Sequence, residues 1–481
     1  MDSPAALILE VRSAKKASLV SSHELASRID AKALPTEGPD FSLFSQPKAF
    51  KAYTQAKWHQ RFGCSRDWQD RQVTRHLERV IGKSSWYRRK FSGLEIGDWR
   101  EWPTIDKAEM MENFDELNTV GVSKRDALEL ARRSEESRDF SPQIGDITVG
   151  LSSGTTGNTG IFLADSGERA AWAGNLLAKV LPHSLLHRQK VALFLRANSS
   201  LYESTKSRTI QFRFFDLLTS IETHLQRWNE YQPDVVVAPP SMLRLLAERL
   251  KKGTLNHIPK KIVSAAEKLD ILDEALIQEA FGQRIHQVYQ CTEGFLATTC
   301  QHGTLHINED IVVIQKDYLD RNSGRFSPII TDFRRISQPI IRYRLDDILI
   351  EKEEPCPCGS TWLALEQIEG RCDDLCFLQS ANDSENHIAV FPDFLRRAVI
   401  AASPHITDYS VRQMDKDTFA IALGGESGPK AQEQVRQQIN RRAQSLGARQ
   451  PVIRFEDMPL RKAGAKKRRV LRECPLPDRL S

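Results

Sequence analysis

The sequence predicts an α/β protein: a large N-terminal α/β domain with a helical N-terminal region and a β subdomain, plus a small α+β C-terminal domain. Three observations carry that prediction. The 481 residues exceed what one hydrophobic core usually fills, so at least two domains are expected. From Leu151 to Asp347, short β-branched runs alternate with helical stretches, which favours a largely parallel sheet. After "EGRCDD" the pattern restarts on a smaller scale.

Taken in order, residues 1–48 read as an arm or linker, ending in the proline-punctuated "KALPTEGPDFSLFSQP". Ala49–Phe62 and Asp67–Phe91 carry apolar residues at helical spacing and read as two helices. The runs "IFLA", "KVALFL", "DVVVA", "KKIVSAA" and "RIHQVYQ" read as strands, with helices between them. One such helix is "SMLRLLAERLKKG", closed by Gly253, because glycine accepts the left-handed conformation that ends a helix. "EDIVVIQ", "SPIITDF" and "QPIIRYRLDDILIE" suggest an antiparallel β region. Beyond it come a strand "CFLQ", a helix near "PDFLRRAVIAAS", a strand "FAIALGG" and a helix over Pro429–Leu446. The expected division is therefore 49–370 for the large domain and 371–481 for the small one.

Composition sets limits on function. Hydrophobic residues at 40% and charged residues at 27% describe an ordinary globular protein, and a net charge of +5 is too mild to indicate nucleic acid as a partner of the whole molecule. The N-terminus lacks a basic stretch followed by a long apolar core, so no signal peptide is expected. No run approaches the roughly 18 apolar residues of a membrane span, and a cytoplasmic protein is expected. In that setting the eight cysteines point to metal or to buried thiols before disulfides.

The stretch "LSSGTTGNTG" offers hydroxyls at Ser152, Ser153, Thr155 and Thr156, with Gly154 and Gly157 letting backbone N–H groups approach a ligand. That is the chemistry of a phosphate-holding loop, yet it contains no lysine. Further on, "IVSAAEKLD" puts Glu267 just after a strand, and "VYQCTEG" puts Tyr289, Thr292 and Glu293 after the next. "IIRYRLDDI", "EGRCDDL" and "RKAGAKKRRV" follow in that order.

In this order and spacing the stretches resemble the adenylate-forming enzymes of the acyl-CoA synthetase, adenylation-domain and luciferase superfamily. The likeness is nearest to its phenylacetate–CoA ligase-like branch and to the adenylate-forming members related to deazaflavin-coenzyme adenylylating synthetases. "SSWYRRKF", "WPTIDKAEMMENF", "HGTLHINED" and "CPCGSTWLALEQIEGRCDD" share in it. The resemblance implies that the loop holds ATP phosphates, although Asn158 and Thr159 stand where the wider superfamily has proline and lysine. It implies that Tyr289 stacks on adenine, that Glu267 lines the adenine edge and that Thr292 bonds the α-phosphate. Glu293 would hold magnesium, a hard cation suited to carboxylate oxygen. Asp347 would accept both ribose hydroxyls, Arg371 would contact ribose or phosphate, and Asp373 would be the hinge of a mobile small domain.

The missing positive charge is then expected from the other end of the chain. "GAKKRRV" resembles the closing G-K-x-x-R pattern of the superfamily with Ala465 inserted, so Lys466 is the expected catalytic lysine and Lys467 its alternative. Cys300, His306, Cys356 and Cys358 form a candidate structural zinc set, with His302 as a substitute. The implied function is ATP-dependent activation of a carboxylic acid as its acyl-adenylate, with pyrophosphate released. The acyl group would then pass to a thiol such as coenzyme A or one on a carrier protein, and the resemblance allows a homodimer. Adenylylation of a phenol or alcohol, and a nucleotide-binding member without ligase activity, are the alternatives; a basic tail touching nucleic acid is a third. The aromatic residues Phe194, Tyr202, Phe214 and Phe215 give only a lean towards an aryl acid.

Overall fold

The computed structural model describes residues 47–151, 160–197, 209–459 and 466–477. The helical N-terminal region begins with helix Pro47–Phe62, whose buried face is made of Ala49, Ala52 and Ala56. The single helix expected over Asp67–Phe91 is two. Helix Arg66–Val80 gives way to one 3-10 turn, and helix Ser85–Lys90 starts afresh. The cause is a second cap. The Ser84 hydroxyl accepts the Tyr87 N–H at 3.2 Å, as the Ser65 hydroxyl does for Trp68 at 3.2 Å, and a capped serine starts a helix rather than continuing one.

Strands β1 (Thr148–Leu151) and β2 (Ile161–Ala164) form an antiparallel hairpin of their own. "IFLA", expected in the alternating series, therefore stands outside the main sheet. That sheet has twelve strands. In its parallel half, β3 (Gln189–Leu195), β4 (Ile210–Asp216), β5 (Val235–Ala238), β6 (Lys261–Ser264) and β7 (Ile285–Gln290) lie in the order β4-β3-β5-β6-β7. Helices Ile221–Tyr231, Pro240–Lys251 and Ile271–Phe281 make the crossovers, as parallel pairing requires. Gly253, at φ +70°, follows the second of these as expected.

From β7 the sheet turns antiparallel through β8 (Phe295–Thr299) and β9 (Leu305–Ile307). Next in the chain come β10 (Val312–Asp320), β11 (Arg325–Asp332), β12 (Ile340–Arg344), β13 (Asp347–Glu351) and β14 (Ala364–Arg371). They continue the sheet as β9-β14-β13-β11-β10, with β12 also on β11. β8 and β11 are buried on both faces, almost every residue of each being buried, including polar Thr298, Thr299, Ser327 and Thr331.

The C-terminal part has its own core. A hairpin of β15 (Cys376–Gln379) and β16 (His387–Val390) precedes a four-stranded sheet of β17 (Ile406–Gln413), β18 (Thr418–Gly425), β19 (Val452–Glu456) and β20 (Val470–Arg472). Val435, Ile439 and Ala443 lie one turn apart on helix Pro429–Ser445 and share a buried cluster with Tyr409, Val411, Phe419 and Ile421. No described helix is long and apolar enough to cross a membrane.

Candidate active site

The parallel strands end on one side of the sheet, and the loops that follow them open onto a cavity of about 590 Å³. Glu267 follows β6, and Thr292 and Glu293 follow β7, whose penultimate residue is Tyr289. Asp347 begins β13, and Arg371 ends β14. Lys466 arrives four residues before β20. All seven side chains line this one cavity, although they come from positions spread over 200 residues of sequence. Ser152, Ser153, Gly154, Thr155, Thr156 and Gly157 lie outside the described residues. The strands that carry them are described, and Leu151 and Phe162 at the loop's two ends stand in the cavity wall. Gly150 is required there, because a Cβ on it would lie 2.0 Å from the Phe162 ring.

Backbone strain helps aim one of these side chains. Ala266 has φ +67°, a left-handed conformation rarely held by a residue with a Cβ. It turns the chain immediately before Glu267, and strain of this kind, about 1–3 kcal/mol, collects at functional sites. Burial raises the Glu267 carboxyl, while hydrogen bonds from Ser241 and the charge of Lys466 oppose that rise.

The carboxylates around the cavity are tightly held. The Tyr289 hydroxyl donates to Asp347 Oδ2 at 2.5 Å, and the Tyr343 hydroxyl donates to Glu293 Oε1 at 3.0 Å. Thr292 Oγ1 donates to Glu293 Oε2 at 2.8 Å. Burial raises Asp347 above the ordinary carboxylate range; the Tyr289 hydrogen bond, Arg371 and Lys466 pull it back, and Glu293 adds to the rise. Tyr289 is at once part of the large core and part of the cavity wall, so its ring is fixed in that wall. Asp346, next to Asp347, also lines the cavity, and its half-exposed side chain is 3.5 Å from Arg371 Nη2. Asp373 lies in the single 3-10 turn Cys372–Asp374 that joins β14 to β15, and its carboxylate is 4.0 Å from Arg371.

The two tail lysines have different surroundings. Lys467 Nζ sits 2.8 Å from Asp408 Oδ2 with its side chain 7% exposed, so its charge is committed. Lys466 lies among the cavity groups. Desolvation there lowers its pKa, and Glu267 and Asp347 resist by favouring the charged form.

A second cluster lies at the end of the β8-β9-β14 strip. Cys300 follows β8, His306 is in β9 opposite Ala364 of β14, and Cys356 and Cys358 sit in the turn before β14. One ligand atom from each falls within 4.8 Å of all the others. Cys300 Sγ and Cys356 Sγ are 3.7 Å apart, and Cys358 Sγ and His306 Nε2 are 3.4 Å apart. A zinc tetrahedron with bonds of ~2.0–2.3 Å has edges of about 3.3–3.8 Å, which these distances match. The other ring nitrogen of His306 meets the Trp362 carbonyl at 3.2 Å, the outer contact that orients a metal-binding imidazole. His302, the substitute, is outside the cluster and meets Gln301 instead.

Some lining residues escaped the sequence reading. Arg335 donates to the Thr292 carbonyl at 2.8 Å and reaches the Leu163 carbonyl at 3.3 Å, tying the strand-end loop to β2. Its only sequence signal is the pair "RR" after β11. The lean towards an aryl acid gains nothing from two of its residues. Phe194 and Phe215 are fully buried and stack on each other with centroids 4.4 Å apart. Tyr202 lies outside the described residues, and Phe214 is not among the residues lining the cavity.

No family model matches the chain. Phenylacetate–coenzyme A ligase of Thermus thermophilus is 22% identical over 197 residues, which is 38% of this chain and 42% of that one. The match thus spans less than half of that relative. The crystal structure of 2-hydroxyisobutyryl-CoA ligase in the postadenylation state, with 2-HIB-AMP, has a TM-score of 0.62 at 16% identity, covering 85% of this chain and 89% of that one. An open conformation of the same ligase, with 2-HIB-AMP and CoA, has a TM-score of 0.55 at 16% identity, covering 84% and 91%. These two likenesses carry the fold. Together with the match to the phenylacetate–coenzyme A ligase, they make the chain similar to adenylate-forming enzymes in sequence and in fold.

Proposed function

We propose that the protein is an ATP-dependent ligase that activates a carboxylic acid as its acyl-adenylate and then passes the acyl group to a thiol, coenzyme A or one on a carrier protein. The observation that carries this reading is the convergence of Lys466 with Glu267, Tyr289, Thr292, Glu293, Asp347 and Arg371 on one cavity. In the first step a carboxylate oxygen attacks the α-phosphorus of ATP, a P–O bond forms, and pyrophosphate leaves. Charge builds on the oxygens of the α-phosphate, and a cation fixed beside them lowers the barrier. Lys466 supplies that charge, and Thr292 donates a hydrogen bond to the same phosphate. Tyr289 packs on adenine, Asp347 accepts the ribose hydroxyls and Arg371 steadies the nucleotide. The Ser152–Gly157 loop holds the outer phosphates.

Glu293 would hold magnesium against the phosphate oxygens. The fit rests on its hard oxygen donors facing the cavity, where the half-buried carboxylate of Asp347 also lies. The ion would neutralise phosphate charge. In the second step the thiol sulfur attacks the acyl carbon and AMP leaves with the electron pair of the broken C–O bond. Residues 371–481 turn about Asp373 between the two steps, as a lid joined to 49–370 through one short turn.

Glu293→Gln and Asp347→Ala should each slow adenylate formation by about tenfold or more without unfolding the protein, the effect of losing one charge-assisted contact. Acid-dependent pyrophosphate exchange measures this, and wild-type rates in both variants would remove the assignment.

The Cys300, His306, Cys356 and Cys358 cluster binds a structural zinc in this reading. With all four positions filled by protein, no open site remains for chemistry. Protein purified without added metal should contain about one zinc per chain, and chelation should lower the unfolding midpoint more than it changes nucleotide affinity. Elemental analysis that finds no zinc would contradict it.

A further inference from the structure

Lys466 is brought to the cavity by the segment that leads into β20, and Lys467, Arg468 and Arg469 border the same cavity. Arg468 pairs with Asp374. Lys467 and Arg469 also reach into a buried ionic cluster. Arg469 meets Asp273 at two points, Nη1 to Oδ2 at 2.7 Å and Nη2 to Oδ1 at 2.8 Å, and its Nε is 3.0 Å from Asp408 Oδ1. Arg244 Nη1 donates to the same Asp273 at 2.9 Å and to the Thr407 carbonyl at 3.1 Å. The Tyr409 hydroxyl donates to Asp270 at 3.1 Å.

The cluster joins two bodies of the fold. Asp270, Asp273 and Arg244 belong to the crossover helices beside the parallel sheet, whereas Asp408, Tyr409, Lys467 and Arg469 belong to β17 and the approach to β20. Three carboxylates face three cations, and Asp273 is 1% exposed. We propose that Asp273 is a positioning residue for adenylation: by gripping Arg469 it docks the C-terminal part so that Lys466 stands in the cavity. This rests on the ligase reading above.

A grip of this kind can hold an orientation without freezing it. The desolvation cost of a buried ion pair largely offsets its attraction, so the docked and turned states stay close in free energy. Removing the Asp273 charge is different, because Arg469 is then left to Asp408 and the more distant Asp270, and Arg244 to Glu248, with the carboxylate between the two arginines lost in the docked state. The variant therefore acts on orientation and not on the cavity groups. Burial opposes the charge of Asp273, yet its arginine and lysine partners hold it down to about 2, so it stays ionised at every working pH.

The test uses the full chain with Asp273→Asn. Trypsin cleavage after Lys467 and Arg469, mapped by mass spectrometry in ATP and magnesium, should quicken by about fivefold or more as the segment undocks. With phenylacetate as probe acid, pyrophosphate exchange at saturating ATP should fall by about tenfold or more while the KM for ATP stays within about threefold. Consumption of supplied phenylacetyl-adenylate by coenzyme A should be unchanged, and Asp273→Glu should recover most of the exchange. Tyr409→Phe, a milder change, should move the same readouts in the same direction and serves if Asp273→Asn fails to fold. Unchanged cleavage, or equal loss of both half-reactions, would overturn the proposal. If Lys466→Ala abolishes exchange and Asp273→Asn does not, the docking role alone falls; if Lys466→Ala exchanges normally, the role of Lys466 falls with it; if the unaltered chain exchanges with no carboxylic acid, the ligase reading falls.

Discussion

Lys466→Ala is expected to lose acyl-adenylate formation by about 10²–10³-fold, the range seen when one fixed donor to a developing charge is removed. ATP binding should weaken little, because Tyr289, Asp347 and Arg371, the proposed nucleotide contacts, line the cavity without help from the tail. A supplied acyl-adenylate should still be consumed by thiol, since in the proposed reaction the C-terminal part turns away before that step and takes the lysine with it. Lys467→Ala should behave differently. Its ammonium is bound to Asp408 and close to Asp273, so its loss acts on docking and leaves the cavity its cation. Measuring the half-reactions separately in both variants checks this. An exposed tail with no catalytic part would leave Lys466→Ala like wild type in both, and equal loss of both would assign the tail to folding.

The largest effect on stability is expected at the other end of the sheet. Lys179 Nζ and Asp310 Oδ1 are 2.5 Å apart, with side chains 0% and 2% exposed. Apart from that carboxylate, the ammonium has the faces of Trp362 and Phe295 at 5.1 and 5.8 Å. Asp310→Ala would leave a cation buried with only these weak partners, and breaking a buried pair from one side costs about 3–5 kcal/mol. Burial already lowers the Lys179 pKa, with Asp310 holding it up, so the variant should also release the proton more readily. Replacing both members, Lys179→Met with Asp310→Leu, should cost less than the single change, because no charge is then stranded. Denaturant unfolding followed by tryptophan fluorescence measures both. A loss below about 1 kcal/mol for Asp310→Ala would show that the pair is not desolvated as described.

Local pattern made much of this legible in the sequence. The β-branched runs of β5, β6 and β7 announce buried parallel strands, and polar residues just beyond β6 and β7 line the cavity. Helix Pro429–Ser445 was equally plain, since its apolar positions recur at helical spacing. Partner choice was less visible. β2 looks like any short strand, and only tertiary pairing with β1 sets it apart from the main sheet. β4, "IQFRFFD", hid because its aromatic and charged residues do not form a β-branched run. The Asp67–Phe91 helix was overextended because Ser84 acts through a cap, which periodicity does not register. At the site, motif order picked out seven side chains that line the cavity. It missed those that hold them, Tyr343 on Glu293 and Asp273 on Arg469, because such contacts join positions 50 and 196 residues apart.

The most direct test of the central claim is ATP–pyrophosphate exchange by the full chain over a panel of aryl and fatty acids, with and without coenzyme A. The account predicts exchange that requires both magnesium and one class of carboxylic acid, that proceeds without coenzyme A, and that disappears in Lys466→Ala. Exchange with no acid on the panel while ATP binds, or exchange that needs a phenol or alcohol in place of a carboxylate, would contradict it.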